Sequence, residues 1–126
     1  MTKPKAARAT TVIPGLPSHP FGETGSPGIT VPTRRHLVVE TLSVQLDVTP
    51  PGSHIEAFVH YVCGGKNVLL FVPLTYAYTE PSTQFDFHVG MQAVRLYVDP
   101  GTRIYVEGVT PGTSVTNFLT VSGYLI

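Results

Sequence analysis

The chain has no tryptophan, a single cysteine and two methionines, and charged residues occupy only 13% of its 126 positions. One thiol, Cys63, excludes an intrachain disulfide framework. Set among Tyr61, Val62 and alternating apolar residues, it reads as a small buried hydrophobe and not as a nucleophile. The charge content is about half of the ~25% usual for soluble domains. Such a bland surface fits a protein covered by neighbours, or a β protein rich in Thr, Ser and Gly. No stretch approaches the ~18 consecutive apolar residues of a membrane-spanning helix. The first residues also lack the apolar core of roughly 7–15 residues of a secretory signal. The expected location is therefore the cytoplasm, or a virus particle released by lysis. Helical periodicity is missing throughout.

The chemical motifs are missing as well. There is no Gly-x-Ser-x-Gly elbow and no Gly-rich phosphate loop opening a helix. His54, Glu56 and His60 share one strand face, but at ~3.3 Å per residue the two histidines lie about 20 Å apart, too far to share one ion. No catalytic residue, metal or cofactor is expected, and the chain reads as non-enzymatic.

What is present is unevenly distributed. Residues 1–35 hold six of the twelve prolines, four of the twelve glycines and five of the eight Lys/Arg residues. Lys3, Lys5, Arg8, Arg34 and Arg35 against Glu23 leave this segment at +4, and residues 36–126 at −4. Each proline removes a backbone donor and biases its predecessor to extended geometry, so 1–35 reads as an extended arm. Its apolar points Ile13, Leu16, Phe21, Ile29 and Val31 read as anchors for a partner, and Gly28–Pro32 as a segment able to supply an edge strand.

From residue 36 to 126 the pattern is that of strands. Over His36–Thr49, Leu42, Val44, Leu46 and Val48 alternate with Thr41, Ser43, Gln45 and Asp47, the period of a half-buried strand. Ser53–Cys63 alternates likewise, and Gly64-Gly65-Lys66-Asn67 is a hairpin signal. Val68–Thr79 is an almost continuous apolar run broken by Pro73, which implies burial on both faces or by a partner. Gln84–Val89 places Phe85, Phe87 and Val89 inward, with Asp86 and His88 outward. Ala93–Val98 buries Val94, Leu96 and Val98, and Arg103–Val109 buries Ile104 and Val106. The faces on either side of Asp99–Thr102 match only with a three-residue loop, a bulge or a step between sheets. Ser114–Ile126 turns Val115, Leu119, Val121 and Leu125 inward. These are seven strands, or eight with one from the arm. The expected fold is all-β, an antiparallel β-sandwich of jelly-roll or Greek-key type with an extended N-terminal arm.

The function expected is structural: an assembly protein whose arm docks on neighbouring copies or within a larger symmetric assembly. A virus-particle component such as a capsid decoration or tail protein is the setting. The arm residues assigned to the partner are Lys3, Lys5, Arg8, Ile13, Leu16, Phe21, Ile29, Val31, Arg34 and Arg35. Five cations without interleaved aromatics make too thin a footprint for nucleic acid, and no membrane contact is expected. The alternative is a carbohydrate-binding module, with Tyr97, Tyr105 and Tyr124 as the aromatic platforms that the absence of tryptophan leaves.

Overall fold

The strand read at His36–Thr49 is β3, Leu37–Val48, in a computed structural model that describes residues 19–126. It runs through the middle of the larger of two antiparallel sheets. The strands in order are β1 (Pro20–Gly25), β2 (Gly28–Thr30), β3, β4 (Glu56–Cys63), β5 (Lys66–Val72), β6 (Thr75–Glu80), β7 (Phe85–Val98), β8 (Arg103–Val109) and β9 (Asn117–Leu125). One sheet has the order β1-β9-β3-β7-β6 and the other β2-β8-β4-β5. The architecture is all-β and sandwich-like, and among the described residues no helix is long and apolar enough to cross a membrane.

A single apolar core joins the sheets. Leu42, Val44, Leu46 and Val48 of β3 and Leu119 and Val121 of β9 meet Ala57, Val59, Val72, Ile104 and Val106 of the facing sheet. Each such Val or Leu, fully withdrawn from water, contributes about 1.5–3 kcal/mol. Asp99–Thr102 is the step between sheets, since β7 lies in one and β8 in the other. The β4–β5 hairpin closes on Gly64-Gly65, both at positive φ, as a two-residue turn in the mirror-image geometry requires.

Four expectations are corrected by the fold. First, among the described residues sheet pairing is already present from Pro20 and not only from His36, and the edge strand that Gly28–Pro32 could supply is β2. β1 pairs with β9, and β2 pairs with β8. Ile29 and Val31 are buried in the chain's own core, and Phe21 packs against it. Second, the apolar run after Val68 is two strands in different sheets, β5 and β6, parted at Pro73. Both are edge strands, and Leu69, Phe71, Tyr76 and Tyr78 stay exposed.

Third, the segments at 84–89 and 93–98 are one strand, β7, whose first half faces opposite to the expectation. His88 pairs with Leu46 and Gln92 with Leu42, so these polar side chains lie on the inner side, whereas Phe87 and Val89 face outward. The even-numbered residues face inward along the whole of β7. It is β3 whose inward set changes phase, from Leu37 and Val39 to Leu42, Val44, Leu46 and Val48, at the bulge where Val39 and Thr41 oppose Leu96 and Ala93. The His88 Nδ1 and Gln92 Oε1 atoms are buried without a hydrogen-bond partner. Fourth, Val115 precedes β9 and is 69% exposed.

The acids do structural work in the turns. Asp47 accepts hydrogen bonds from Val115 N (2.8 Å), Thr116 N (3.0 Å), Thr116 Oγ1 (2.6 Å) and Ser114 Oγ (3.1 Å). Asp86 accepts from Gly52 N at 2.7 Å and Thr79 Oγ1 at 2.5 Å. Asp99 holds both glycines of the β4–β5 turn, through Gly64 N at 2.9 Å and Gly65 N at 2.7 Å. Glu80 accepts from Ser82 and Thr83.

Burial pushes the Asp47 carboxyl up, but the hydrogen bonds from Thr116, Val115 and Ser114 outweigh it and hold the group below its ordinary value. The backbone donors of Gly52 at Asp86, and of Gly65 and Gly64 at Asp99, lower those carboxyls too. A carboxyl lowered in the folded state leaves the unfolded chain to take up protons first as the pH falls. The stability it contributes is complete above the ordinary carboxylate range and is lost as the pH falls through the lowered folded values. Thermal melts are therefore expected to give a Tm nearly constant down to about pH 5 and falling steeply below about pH 4. A Tm that stays level to about pH 2 would contradict this role for the turns.

Candidate functional site

The outer face of the five-stranded sheet carries a groove of about 770 Å³. Its floor consists of two neighbouring cross-strand rows. One runs Thr24–Thr120–Ser43–Met91 over β1, β9, β3 and β7. The other runs Phe118–Gln45–Val89–Thr75 over β9, β3, β7 and β6. In both rows the residues are the outward half of strands whose inward half builds the core, so burial of Leu42, Val44, Leu119 and Val121 fixes where the groove side chains point.

None of the lining residues carries a charge. The Thr24 and Thr120 hydroxyls lie 2.8 Å apart, and Ser43, Gln45 and Thr75 add further polar groups. Between them stand Met91, 75% exposed, with Val89 and Phe118. Pro73 also lines it, beside β7. The chain crosses there from β5 to β6, with Pro73 O against β7 where a Cβ on Gly90 would lie only 2.5 Å from it. Glycine is required at this position because the crossing backbone takes the space of a side chain.

Aromatic banks flank the groove along the strands. At one end Tyr78 stacks on Phe87 with ring centroids 5.0 Å apart. At the other, Val38 faces outward yet is fully buried between its cross-strand neighbours Tyr97 and Tyr124, with the Arg95 guanidinium against both tyrosines.

The outer face of the other sheet is different. The His60 ring stacks on Tyr105 at 4.7 Å, and its Nε2 lies 2.7 Å from Glu107 Oε1. The Arg103 guanidinium sits 4.9 Å from the Tyr105 ring centre. Beside them Phe58 and Phe71 pair at 5.7 Å. Leu69 and Phe71, 56% and 50% exposed, lie on β5, the strand at the sheet's edge.

The residues singled out from sequence are scattered by this arrangement. Lys3, Lys5, Arg8, Ile13 and Leu16 lie outside the described residues. Phe21, Ile29 and Val31 serve the chain's own core, which withdraws them as anchors for a partner. Arg34 and Arg35 are exposed in the loop between β2 and β3. Tyr97 and Tyr124 are on one face of the molecule and Tyr105 is on the opposite one, so the three tyrosines form no common platform. His54 sits 3.2 Å from Glu56, while His60 turns to Glu107. Among the described residues no three His, Cys, Asp or Glu side chains converge as a metal site would need.

Among the acids, Asp47 and Asp86 are buried and bonded to turns, Glu80 and Asp99 are half-buried acceptors in turns that keep their charge, and Glu23 and Glu40 are exposed. No known protein family, curated protein or solved structure matches the chain.

The groove itself escapes a reading of the sequence. Its signal is only that the outward series Ser43/Gln45, Val89/Met91 and Phe118/Thr120 is uncharged, and nothing local says that these strands are neighbours.

Proposed function

We propose that this chain is a non-enzymatic structural module that assembles with copies of itself through the free edge of β5. The observation that carries the reading is the edge strand itself. Among the described residues Lys66–Val72 is paired with β4 on one side only, and it presents Leu69 and Phe71 to solvent beside Phe58. No charge interrupts Asn67–Val72. An open row of backbone donors and acceptors beside exposed apolar side chains is a template for pairing. Antiparallel pairing of β5 with its own copy gives a two-fold, self-complementary contact. It joins two four-stranded sheets into one of eight strands and covers Leu69 and Phe71 from both sides.

The winding supports a jelly roll. With β6 set aside as an added hairpin strand, the orders β1-β9-β3-β7 and β2-β8-β4-β5 fit two interleaved Greek keys. Such sandwiches serve in virus capsids, and a coat or tail component of a bacteriophage particle is the setting we propose, with the cytoplasm as the alternative location. Within it, Lys3, Lys5, Arg8, Ile13 and Leu16, with Arg34 and Arg35, form the strap to a neighbouring copy, multiplying weak contacts by avidity.

Sedimentation of the full chain is expected to show a dimer or larger species. The double variant Leu69→Lys/Phe71→Lys is expected to weaken association by roughly a hundredfold, ~2.7 kcal/mol. A wild-type chain that stays monomeric at its highest soluble concentration would sink the reading. A second reading, binding of a neutral carbohydrate, is favoured by the uncharged groove on the opposite sheet.

A further inference from the structure

Resting on the carbohydrate reading, we infer that the groove of the five-stranded sheet is the binding site for a neutral oligosaccharide that lies across the strands. Charge narrows the ligand first. With no cation lining the groove, a phosphate or carboxylate ligand finds no counterion there, and a cationic ligand finds no carboxylate. Burying either charge unpaired in a groove carries a desolvation cost that nothing here offsets.

Backbone accounting narrows it further. An extended peptide gains most of its affinity by adding to a sheet edge. The floor of this groove is the face of β9 and β3 with β7 beside them. Among the described residues β3 is paired along both sides and β7 beyond Val89 is paired with β3 alone, so a ligand lying across this face meets side chains and not a free ladder. A peptide laid here would leave its own donors and acceptors without partners. A saccharide has no such requirement. It presents hydroxyls and C–H faces side by side, and the groove offers the same mixture: hydroxyl and amide groups from Thr24, Thr120, Ser43 and Gln45, and apolar contacts from Met91 and Phe118. A pocket of several hundred Å³ with mostly apolar walls and a few convergent polar groups is the usual form of a small-molecule site.

The direction of the ligand follows from the edges. The lining reaches Thr24 on the outermost strand β1 and Thr75 on the opposite outermost strand β6. Four inter-strand spacings make a channel on the order of 19 Å long. Both of its ends are open at sheet edges, so it accepts internal units of a chain as readily as a terminus.

The test is titration of the full-length chain with neutral gluco-, xylo- and manno-oligosaccharides from disaccharide to hexasaccharide, with oligogalacturonate as the acidic control. Binding is read by calorimetry and by amide shifts. At least one neutral series is expected to bind, with affinity rising with length until the channel is filled and level thereafter. Amide shifts are expected at Ser43, Gln45, Met91 and Thr120. Gln45→Ala is expected to weaken binding about tenfold, ~1.4 kcal/mol, and Ser43→Trp, which fills the groove from an outward position, to abolish it with the thermal melt unchanged. Binding that survives Ser43→Trp, or that shifts residues around Tyr105 and His60, would overturn the site and leave the carbohydrate reading standing. Failure of every neutral series, or equal binding of the acidic control, would overturn both.

Discussion

A chain beginning at His36 is expected to be unfolded, whereas one beginning at His19 is expected to keep the stability of the full chain. The shorter chain loses β1 and β2 entirely, and with them Ile29 and Val31 from the core and Phe21 from its margin. Three apolar side chains at about 1.5–3 kcal/mol each already amount to a large part of the ~5–15 kcal/mol that holds an ordinary domain together. β9 would also lose the partner that pairs with it from Gly25↔Leu119 to Pro20↔Tyr124. Circular dichroism and amide dispersion check this directly. Dispersed spectra from the His36 chain would mean that the first two strands are an accessory. The His19 chain also tests the strap: with the fold retained, any loss of assembly is due to residues 1–18, which carry +3 through Lys3, Lys5 and Arg8.

Asp47→Ala is expected to destabilise the fold by about 3–5 kcal/mol, since several donors held by one ionised acceptor lose it together. Asp47 is 5% exposed and ties the approach to β9 onto the end of β3, accepting two backbone donors and two hydroxyls from Ser114–Thr116. Alanine would leave Val115 N and Thr116 N without their acceptor. Asparagine, which keeps one oxygen but adds a donor facing donors, is expected to fall between alanine and wild type. Urea unfolding gives the number, and a change below about 1 kcal/mol for alanine would mean that water replaces the carboxylate there.

Parts of this fold were legible in the sequence and parts were not. The face assignment of β3, the inward pair Ile104 and Val106, and the Gly64-Gly65 hairpin were legible because each depends on a period of two or on a turn that only certain residues adopt. The step at Asp99–Thr102 was legible as one of three solutions to a face mismatch. β2 was legible only as an edge strand that Gly28–Pro32 could supply and β1 not at all. The burial of Ile29 and Val31 was missed because so short an alternation does not stand out among prolines and is decided by β8, more than seventy residues away in sequence. The phase of β7 was hidden because its first half is inverted in polarity, with Asp86, His88 and Gln92 inward and Phe87 and Val89 outward, which no local pattern announces. The charge imbalance was legible as a count, whereas the bonding of Asp47, Asp86 and Asp99 to turns was not, since it is a matter of which loops meet. The groove needs the strand order itself, and that order is set by pairings between distant segments.

The pairing of β1 with β9 has a consequence during synthesis. Its ladder joins residues about a hundred positions apart, so the larger sheet cannot close until the last strand has left the ribosome. At ~5–20 residues per second that is a delay on the order of 5–20 s after β1 emerges. During it β3 has at most β7 available, on one side and only once Val98 has emerged, its other row of donors and acceptors waiting for β9. The nascent chain therefore spends its longest exposure with its most apolar strand at most half paired, and a chaperone that holds that strand would act on the newborn chain and have nothing to grip once Leu125 is in place.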